Sequence, residues 1–362
     1  AAVARRKVGH LPAAAATTYR AVEPLQAVTA CLDAAAKQGY IVLKRRYAED
    51  ICNNFDTCRL TFATDPALES LPTDERLRRA AAQPDPGWTR CTSNGRWLLF
   101  AASARAAARQ LAGVWNDSFF PSWDSKYTIN INTEMNYWPA NICGLAQSEE
   151  PLFDLLAAGA NGNALRGAVS LPRFVAHHNT DLWGDTDPQD RYIPASFWPM
   201  GAAWLCTHIW RHYLYSVNEF LRAQFPTLEQ AVLFFTDFLE QDADGYYVTN
   251  PSVSPENTYI LPDGVRGHLC IGPTMDRQIL RELFAGTSAA AKLSVTNETT
   301  CAAAAILPRL RPTQIGSDGR LLEWGGEYGE AEPGHRHIST CMSRLRAMRS
   351  ALLLRRNLPP QR

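Results

Sequence analysis

The sequence predicts a mainly α-helical fold, an α/α toroid whose functional site is built from loops at one end. Apolar residues recur at helical spacing in several segments, and long loops rich in polar and aromatic residues separate these segments. Strand patterns do not alternate with helical ones, which disfavours the Rossmann and TIM architectures. Because loops commonly carry the functional groups of such scaffolds, we expect the chemistry to lie there.

Individual helices follow from capping and spacing signals. Ser148-Glu149-Glu150-Pro151 combines a capping hydroxyl, acids in the first turn and an early proline, which predicts a helix start. Gly201 to Leu221 has apolar residues at helical spacing, and Phe225-Pro226-Thr227 predicts the start of another helix. Further helices are predicted at Pro24 to Gln38, at Gly95 to Ala108, from Pro273-Thr274 through Phe284, and at Ala302 to Leu310.

The composition argues against several functional classes. The 362 residues are 46% hydrophobic and carry no formal net charge, so a nucleic-acid or anionic-membrane footprint is not expected. No apolar run is as long as the roughly 18 residues of a transmembrane helix. The nine cysteines form no Cys-x-x-Cys pair, which favours neither a zinc knuckle nor a complete disulfide framework. The segment Ala1 to Lys7 lacks the apolar core of a signal peptide.

The most informative segment, residues 115–139, mixes amides and carboxylates with aromatic rings. Its centre, Asn130 to Pro139, carries four such polar side chains among apolar neighbours. Each buried amide without a partner costs about 1–3 kcal/mol, so this composition suits a polar pocket with aromatic walls, as sugars require. Asn130 and Asn132 are spaced to lie on one side of an extended segment. They could hold a water molecule or sugar hydroxyls, or they could satisfy buried backbone groups.

A second candidate is Glu256, the single acid in a stretch stiffened by Pro251 and Pro255. Rigid placement suits a proton donor, which must lie within hydrogen-bonding distance of a leaving oxygen. A donor of this kind needs a raised pKa to stay protonated near neutrality, and we expect apolar surroundings to raise the pKa of Glu256. The alternative is an exposed acid in a surface turn.

Two further segments contain histidines. His177 and His178 precede Trp183, which could stack on a sugar or lie in the core; adjacent histidines rarely bind one ion, so no metal is expected. Farther along, Arg336 lies between His335 and His337, where several donors could contact sugar oxygens or form an exposed polar turn. Common nucleotide, serine-hydrolase and zinc-protease motifs are missing, and no cofactor is expected.

Taken in order, these segments resemble glycoside hydrolase family 95, the 1,2-α-L-fucosidases. The resemblance spans about residues 71–339, and its longest and most specific parts are the run from Tyr127 to Ala140 and the run from His177 to Gly184. The other matching segments are Leu71 to Leu77, Gly113 to Asn116, Ser254 to Asn257, Gly319 to Trp324 and Gly334 to Ser339.

The resemblance implies an (α/α)6 six-hairpin toroid and an inverting hydrolase that acts on a fucosylated oligosaccharide or glycan. From the charge and the lack of a long apolar run, no nucleic-acid or membrane partner is expected. The resemblance implies that Glu256 is the general acid and that Asn130 and Asn132 hold and activate the attacking water. It also implies that Trp183, Arg336 and His337 contact the fucose, and that the protein acts outside the cell. In the family, a downstream aspartate polarises the asparagine, because a neutral amide is a weak base.

The chain departs from the family pattern after Ser339, where the segment expected to carry the base aspartate has no counterpart. We therefore expect a toroid that is incomplete at its C-terminal end and a chain that is inactive or poorly soluble. Residues 1–70 are predicted to be a remnant of, or a linker to, a missing β-domain. Residues 71–339 form the predicted catalytic domain, and residues 340–362, with six arginines and no acid, an aberrant tail.

Three other functions remain open from the sequence. The chain could hydrolyse a related sugar such as an α-L-galactoside, or it could bind sugar without turnover as a pseudoenzyme. It could also be a non-functional fragment from a faulty gene prediction. A methyl-sized apolar subsite would favour fucose over galactose, since fucose is a 6-deoxy sugar.

Overall fold

The computed structural model describes residues 12–18, 21–59, 65–80, 82, 88–103, 116–160, 173–291, 293 and 297–341. The chain divides into two compact units. The first comprises Ala1–Phe100 with Cys143–Leu145, and the second comprises Ala101–Ile142 with Ala146–Arg362.

The helices of the N-terminal part begin with a long helix, α1 (Pro24–Asn54), which bends at Gly39, where φ is 72°. The predicted helix from Pro24 is confirmed and continues past Gln38. Arg96 stabilises the first unit, because its Nε donates to the Cys143 carbonyl at 2.9 Å and its Nη2 donates to the Phe55 carbonyl at 2.7 Å. The remaining helices of this region are α2 (Pro66–Glu69), α3 (Thr73–Ala80) and α4 (Trp88–Ala102). The predicted helix at Gly95 to Ala108 overlaps α4, and its residues 104–108 lie outside the described residues.

The second unit is built around packed helices, with apolar side chains such as Trp204, Phe235 and Phe284 fully buried between them. Gly286 lies where two of these helices approach closely, since a Cβ there would be 2.8 Å from Trp210 Cγ. These helices confirm the mainly α class and agree with the predicted α/α toroid. They are α5 (Asn132–Tyr137), α6 (Pro139–Ile142), α7 (Glu150–Ala160), α8 (Ile193–Ser196), α9 (Gly201–Tyr213), α10 (Asn218–Phe238), α11 (Thr274–Ala291) and α12 (Glu298–Ile306).

Helix α10 differs from its prediction, because it begins at Asn218 and contains Pro226 in its interior. The expected helix start at Phe225 is therefore wrong, as is the expected continuation of α9 to Leu221. The apolar residues of α10 explain the difference, since they continue at helical spacing on both sides of the proline and are buried. Burial of this stripe offsets the roughly 3 kcal/mol that an interior proline costs. The stripe is Leu221, Phe225, Leu228, Val232 and Phe235.

Helix α12 also begins earlier than expected, at Glu298 rather than Ala302. A capping box explains its start: Asn297 Oδ1 accepts from the Thr300 amide at 3.0 Å, and Thr300 Oγ1 accepts from the Asn297 amide at 3.0 Å. The Asn297 side chain also donates to Glu229 Oε1 at 2.6 Å, which joins α12 to α10.

A buried carboxylate joins the start of α7 to α9. Glu149 accepts hydrogen bonds from His208 Nδ1 at 3.1 Å, from His212 Nδ1 at 2.8 Å and from Asn141 Nδ2 at 2.6 Å. Burial acts to raise the pKa of Glu149, but the bonds from the two histidines outweigh it and hold the pKa below its usual range. Through these hydrogen bonds, Glu149 fixes the start of α7 against two residues of α9.

Short strands connect the loops between helices, and all are antiparallel. The pair β1 and β2 joins Tyr127 to Thr180 and so brings together two segments that are distant in sequence. None of the described helices has the length and apolar character needed to cross a membrane. The strands are β1 (Tyr127–Thr128), β2 (Asn179–Thr180), β3 (Glu240–Gln241), β4 (Tyr247–Val248), β5 (Ser252–Val253), β6 (Tyr259–Ile260), β7 (Arg266–Gly267), β8 (Leu269–Cys270) and β9 (Gly329–Glu330).

Asp276 on α11 anchors two of these loops from inside the unit. It is fully buried, and it accepts from Trp198 Nε1 at 2.9 Å and from Thr249 Oγ1 at 2.7 Å. Burial raises the pKa of Asp276 to about 6, although the hydrogen bonds and the neighbouring Arg277 act in the opposite direction.

We expect Gly201→Ala to destabilise the protein by about 3 kcal/mol, at the upper end of overpacking costs. A Cβ at this position would lie 2.1 Å from the His177 carbonyl oxygen, which is part of the backbone and cannot rotate away. The matched control is Gly95→Ala in α4, where nothing lies within 4 Å of the added Cβ and a gain of about 0.5–1 kcal/mol is expected. Urea unfolding measures both, and equal stabilities for the two variants would contradict the close approach at Gly201.

A pH series tests the burial of Asp276. The folded pKa of about 6 exceeds the unfolded value of about 3.9, so the folded chain retains a proton that the unfolded chain loses between these values. The free energy of unfolding of the wild type, relative to Asp276→Asn, should therefore fall by roughly 3 kcal/mol as pH rises from 4 to 6, and then level off. A difference that is constant from pH 4 to 7, or that grows, would count against this placement.

Candidate functional site

A cavity of about 950 Å³ in the second unit brings together segments that are far apart in sequence. Loops line most of it, as the sequence predicts. Its polar groups include Asn132, Glu256 and the pair Arg336 and His337. The other lining residues are Ser122, Trp123, Thr128, Ile131, Met135, Trp138, His178, Asn179, Asp190, Tyr192, Ala195 and Ile338.

The two asparagines lie at a turn between β1 and α5, and the extended segment expected from their spacing is wrong. Asn130 is in the turn, Ile131 has φ −179° and ψ −39°, and Asn132 is the first residue of α5. A short turn joins the end of β1 to the start of α5, and it is held by a hydrogen bond from Thr133 Oγ1 to the Thr128 carbonyl at 2.9 Å. Asn132 lines the cavity, whereas Asn130 is almost completely buried behind it.

Asn130 contacts Glu256 directly. Its Nδ2 donates to Glu256 Oε1 at 3.1 Å, across 126 positions of sequence. Among the described residues, none donates a hydrogen bond to the buried Asn130 Oδ1.

Glu256 lies in the loop between β5 and β6, and neighbouring side chains fix that loop. The Asn257 amide donates to the Ser254 carbonyl at 2.7 Å, and Ser254 Oγ donates to Glu323 Oε1. Burial raises the pKa of Glu323, against the hydrogen bonds from Ser254, Ser339 and Asn257. Glu323, which lies in the matching segment Gly319 to Trp324, thus supports both the Glu256 loop and the loop that contains His337.

The charge on Glu256 is stabilised rather than suppressed. Burial acts to raise the pKa of Glu256, but the Asn130 hydrogen bond and the nearby His337 and Arg336 outweigh it, so the pKa lies below its usual range. Arg336 Nη2 donates to Glu256 Oε2 at 2.6 Å, and His337 Nε2 lies 3.9 Å from Oε1. The expectation of a raised pKa is therefore wrong, because the surroundings of this carboxylate are polar and cationic.

The two neighbours of Glu256 differ in charge. Burial, together with the adjacent His335 and Arg336 and against the effect of Glu256, lowers the pKa of His337 to about 4, so His337 is neutral at neutral pH. Arg336 then provides the positive charge at Glu256. Its side chain is 61% exposed, so this ion pair is open to solvent and to a ligand.

Trp183 does not line the cavity; it lies in a turn, where its amide donates to Asp181 Oδ1 at 2.8 Å. The same sequence motif instead contributes His178 and Asn179 to the wall, held together by a 2.8 Å contact between His178 Nε2 and Asn179 Nδ2. The pairing of β1 with β2 decides this, because it aligns Asn179 with Thr128 at the cavity wall. A contact between Trp183 and fucose stays a prediction.

Sequence reasoning did not single out several wall residues. Trp123 and Trp138 lie within the polar-aromatic segment, whose composition pointed to aromatic walls without selecting these rings. Asp190 and Tyr192 follow the histidine motif and carried no spacing signal of their own. Within the described parts of the chain, no group of three or more His, Cys, Asp and Glu side chains is arranged to hold a metal ion.

Comparison with known proteins gives one consistent family. The profile of the glycosyl hydrolase family 95 catalytic domain matches residues 39–345. Alpha-L-fucosidase 2 of Arabidopsis thaliana is 34% identical over 333 residues, which cover 88% of this chain and 39% of that protein. The probable alpha-fucosidase A of Aspergillus niger is 28% identical over 343 residues, which cover 90% of this chain and 42% of that protein.

The chain thus spans about two fifths of the length of these curated relatives. The match to the catalytic domain nevertheless extends over most of the chain and includes every residue that lines the cavity. The chain belongs to glycosyl hydrolase family 95.

Proposed function

We propose that this chain releases terminal α-L-fucose from α-1,2-linked oligosaccharides with inversion at the anomeric carbon. The observation that supports the proposal is a cavity of this family 95 chain that Glu256 and Asn132 both line, with the buried Asn130 donating to Glu256 from behind its wall. The names of these relatives, an alpha-L-fucosidase and a probable alpha-fucosidase, support fucose as the sugar.

In this proposal, the terminal sugar occupies the inner part of the cavity, where His178, Asn179 and His337 are buried. Buried donors and acceptors there bind the sugar hydroxyls, and each group left unpaired would cost about 1–3 kcal/mol. Glu256 faces the glycosidic oxygen, and Asn132 in the cavity wall, with Asn130 behind it, holds the water.

Hydrolysis then follows the inverting scheme of glycosidases. The water oxygen bonds to the anomeric carbon from the face opposite the leaving group. The bond between that carbon and the glycosidic oxygen breaks, its electron pair stays on the oxygen, and Glu256 donates its proton there. The proton that the water loses passes to solvent, and an equivalent proton later restores Glu256, so one water is consumed in each turnover.

The apolar part of the cavity favours fucose over galactose. Ile131, Met135, Ala195 and Ile338 supply alkyl surface to the wall. Such surface accommodates the C5 methyl group of a 6-deoxy sugar, whereas the hydroxymethyl group of an α-L-galactoside would lose hydrogen bonds to water.

The ion pair with Arg336 makes the charge of Glu256 dependent on substrate. In the free site, the carboxylate is ionised at neutral pH, and a proton donor must first become protonated. A substrate that engages the exposed Arg336 and excludes water would weaken the stabilisation of the carboxylate and raise the pKa of Glu256. Glu256 would therefore take up its proton when substrate binds, and it is not protonated in the free site.

We expect Glu256→Gln to lower kcat for 2'-fucosyllactose by about 10²–10⁴-fold, the range of a general-acid contribution. The loss should be smaller for α-L-fucosyl fluoride, because fluoride departs with less need for a proton. Steady-state kinetics measure both, and Glu219→Gln, an exposed acid on α10, is the matched control. Equal losses on the two substrates would remove Glu256 from the role of proton donor.

The wild-type chain itself separates the alternative functions. Turnover of 2'-fucosyllactose, followed by NMR as first release of β-L-fucose, supports the inverting fucosidase, and first release of α-L-fucose contradicts inversion. Calorimetric binding of L-fucose without turnover would instead identify a sugar-binding pseudoenzyme. Faster hydrolysis of an α-L-galactoside than of the fucoside would reassign the sugar.

Replacement of the cation at Glu256 should shift the pH profile. Arg336→Gln removes a charge that lowers the pKa of Glu256, so the proton donor should stay protonated to higher pH. The basic limb of kcat/KM should move upward by up to about 0.7 pH unit, since an exposed ion pair contributes about 0.2–1 kcal/mol. Arg266→Gln, an exposed arginine in β7, should leave the limb in place. A downward shift in Arg336→Gln would contradict the assignment of Glu256 as the acid.

A further inference from the structure

The cavity changes in character from its buried interior to its mouth. Of its lining residues, His178 and His337 are buried, whereas Trp123 is 75% exposed and Tyr192 is 51% exposed. Both aromatic rings line the cavity. A terminal sugar bound at the buried end would therefore leave the rest of its oligosaccharide to pass these rings.

The size of the cavity supports more than one sugar. Its volume of about 950 Å³ lies at the upper end of the roughly 300–1,000 Å³ that hold drug-sized ligands, which exceed a monosaccharide. A single fucose would leave the outer part empty, and a second ring would occupy it.

The backbone holds Trp123 in an unusual conformation. Trp123, Asp124 and Ser125 have φ of 52°, 53° and 52°, the left-handed region that costs non-glycine residues roughly 1–2 kcal/mol each. Neighbouring contacts fix this segment, since Asn116 Nδ2 donates to Ser125 Oγ at 3.1 Å and the Lys126 amide donates to the Trp123 carbonyl at 3.2 Å. Conformations of this kind persist where the surroundings enforce them and are found at ligand clamps.

Other exposed aromatic residues nearby do not share these features. Phe119 is 99% exposed and Phe120 is 93% exposed, yet neither lines the cavity. Exposure of an aromatic ring in this loop is therefore not enough to place it at the site, and Trp123 is distinguished by facing the cavity.

We propose that Trp123 is the platform for the leaving-group sugar, which makes the chain selective for oligosaccharide substrates over fucosides that lack a second pyranose ring. The proposal rests on the proposed function and extends it to the sugar beyond the scissile bond. The indole face covers the C–H face of that ring, and the fixed backbone lowers the entropy lost when the ring binds. Trp123 contacts the leaving group only, so it acts through substrate binding and not on the anomeric carbon.

The test compares two substrates that differ in the leaving group. Trp123→Ala should lower kcat/KM for 2'-fucosyllactose about tenfold, which corresponds to about 1.4 kcal/mol, mainly through KM. It should change kcat/KM for α-L-fucosyl fluoride by less than about twofold, because fluoride has no ring to stack. Trp123→Phe, which keeps an aromatic face, should recover most of the lost selectivity, and Phe120→Ala is the matched control with no change on either substrate.

Binding gives a second measurement that does not need turnover. Calorimetry in a Glu256→Gln background, in which turnover is slow, should show tighter binding of 2'-fucosyllactose than of L-fucose. Adding Trp123→Ala should remove this preference while L-fucose still binds. Equal losses of kcat/KM for 2'-fucosyllactose and α-L-fucosyl fluoride in Trp123→Ala, or an unchanged ratio between them, would overturn the platform. The fucosidase proposal would still stand. A wild type that neither hydrolyses 2'-fucosyllactose nor binds L-fucose would overturn the proposed function and the platform together.

Discussion

The carboxylate of Glu256 is held between an amide and a guanidinium, and the arrangement of the cavity depends on this contact. Asn130 comes from the turn before α5, and Arg336 from a loop near the end of the described chain. The Glu256 loop between β5 and β6 lies between them. Three segments distant in sequence thus meet at Glu256, and the helical core of the second unit holds them in place.

Buried carboxylates outside the cavity wall fix the positions of neighbouring loops. Asp276 holds the segments of Trp198 and Thr249, and Glu323 holds the loops of Ser254 and Ser339. Each one accepts hydrogen bonds from at least two loops, which an apolar contact could not do with the same directionality. Because an unpaired buried carboxylate is costly, such groups tie the loop positions to the folding of the helical core.

The polar surroundings of Glu256 also explain why its side chain is an ionised carboxylate, and not a protonated acid, in the free site at neutral pH. With His337 neutral at neutral pH, the exposed Arg336 and the Asn130 amide stabilise the ionised form of Glu256. A site of this kind responds to a ligand, because a substrate that replaces water around Arg336 changes the balance between the two protonation states. A leaving-group sugar lying at Trp123 would close the solvent side of the cavity and contribute to that change.

The sequence by itself determined the mainly α class, the residues of the polar-aromatic segment, and the resemblance to a family of hydrolases. Local patterns encode these features, because caps, helical spacing and loop composition depend on near neighbours. The structure decided that Asn130 bonds to Glu256 across 126 positions, that His178 and Asn179 rather than Trp183 line the cavity, and that α10 continues through Pro226. It also decided the direction of the Glu256 pKa, since a pKa depends on charges and dipoles that only tertiary packing brings within range.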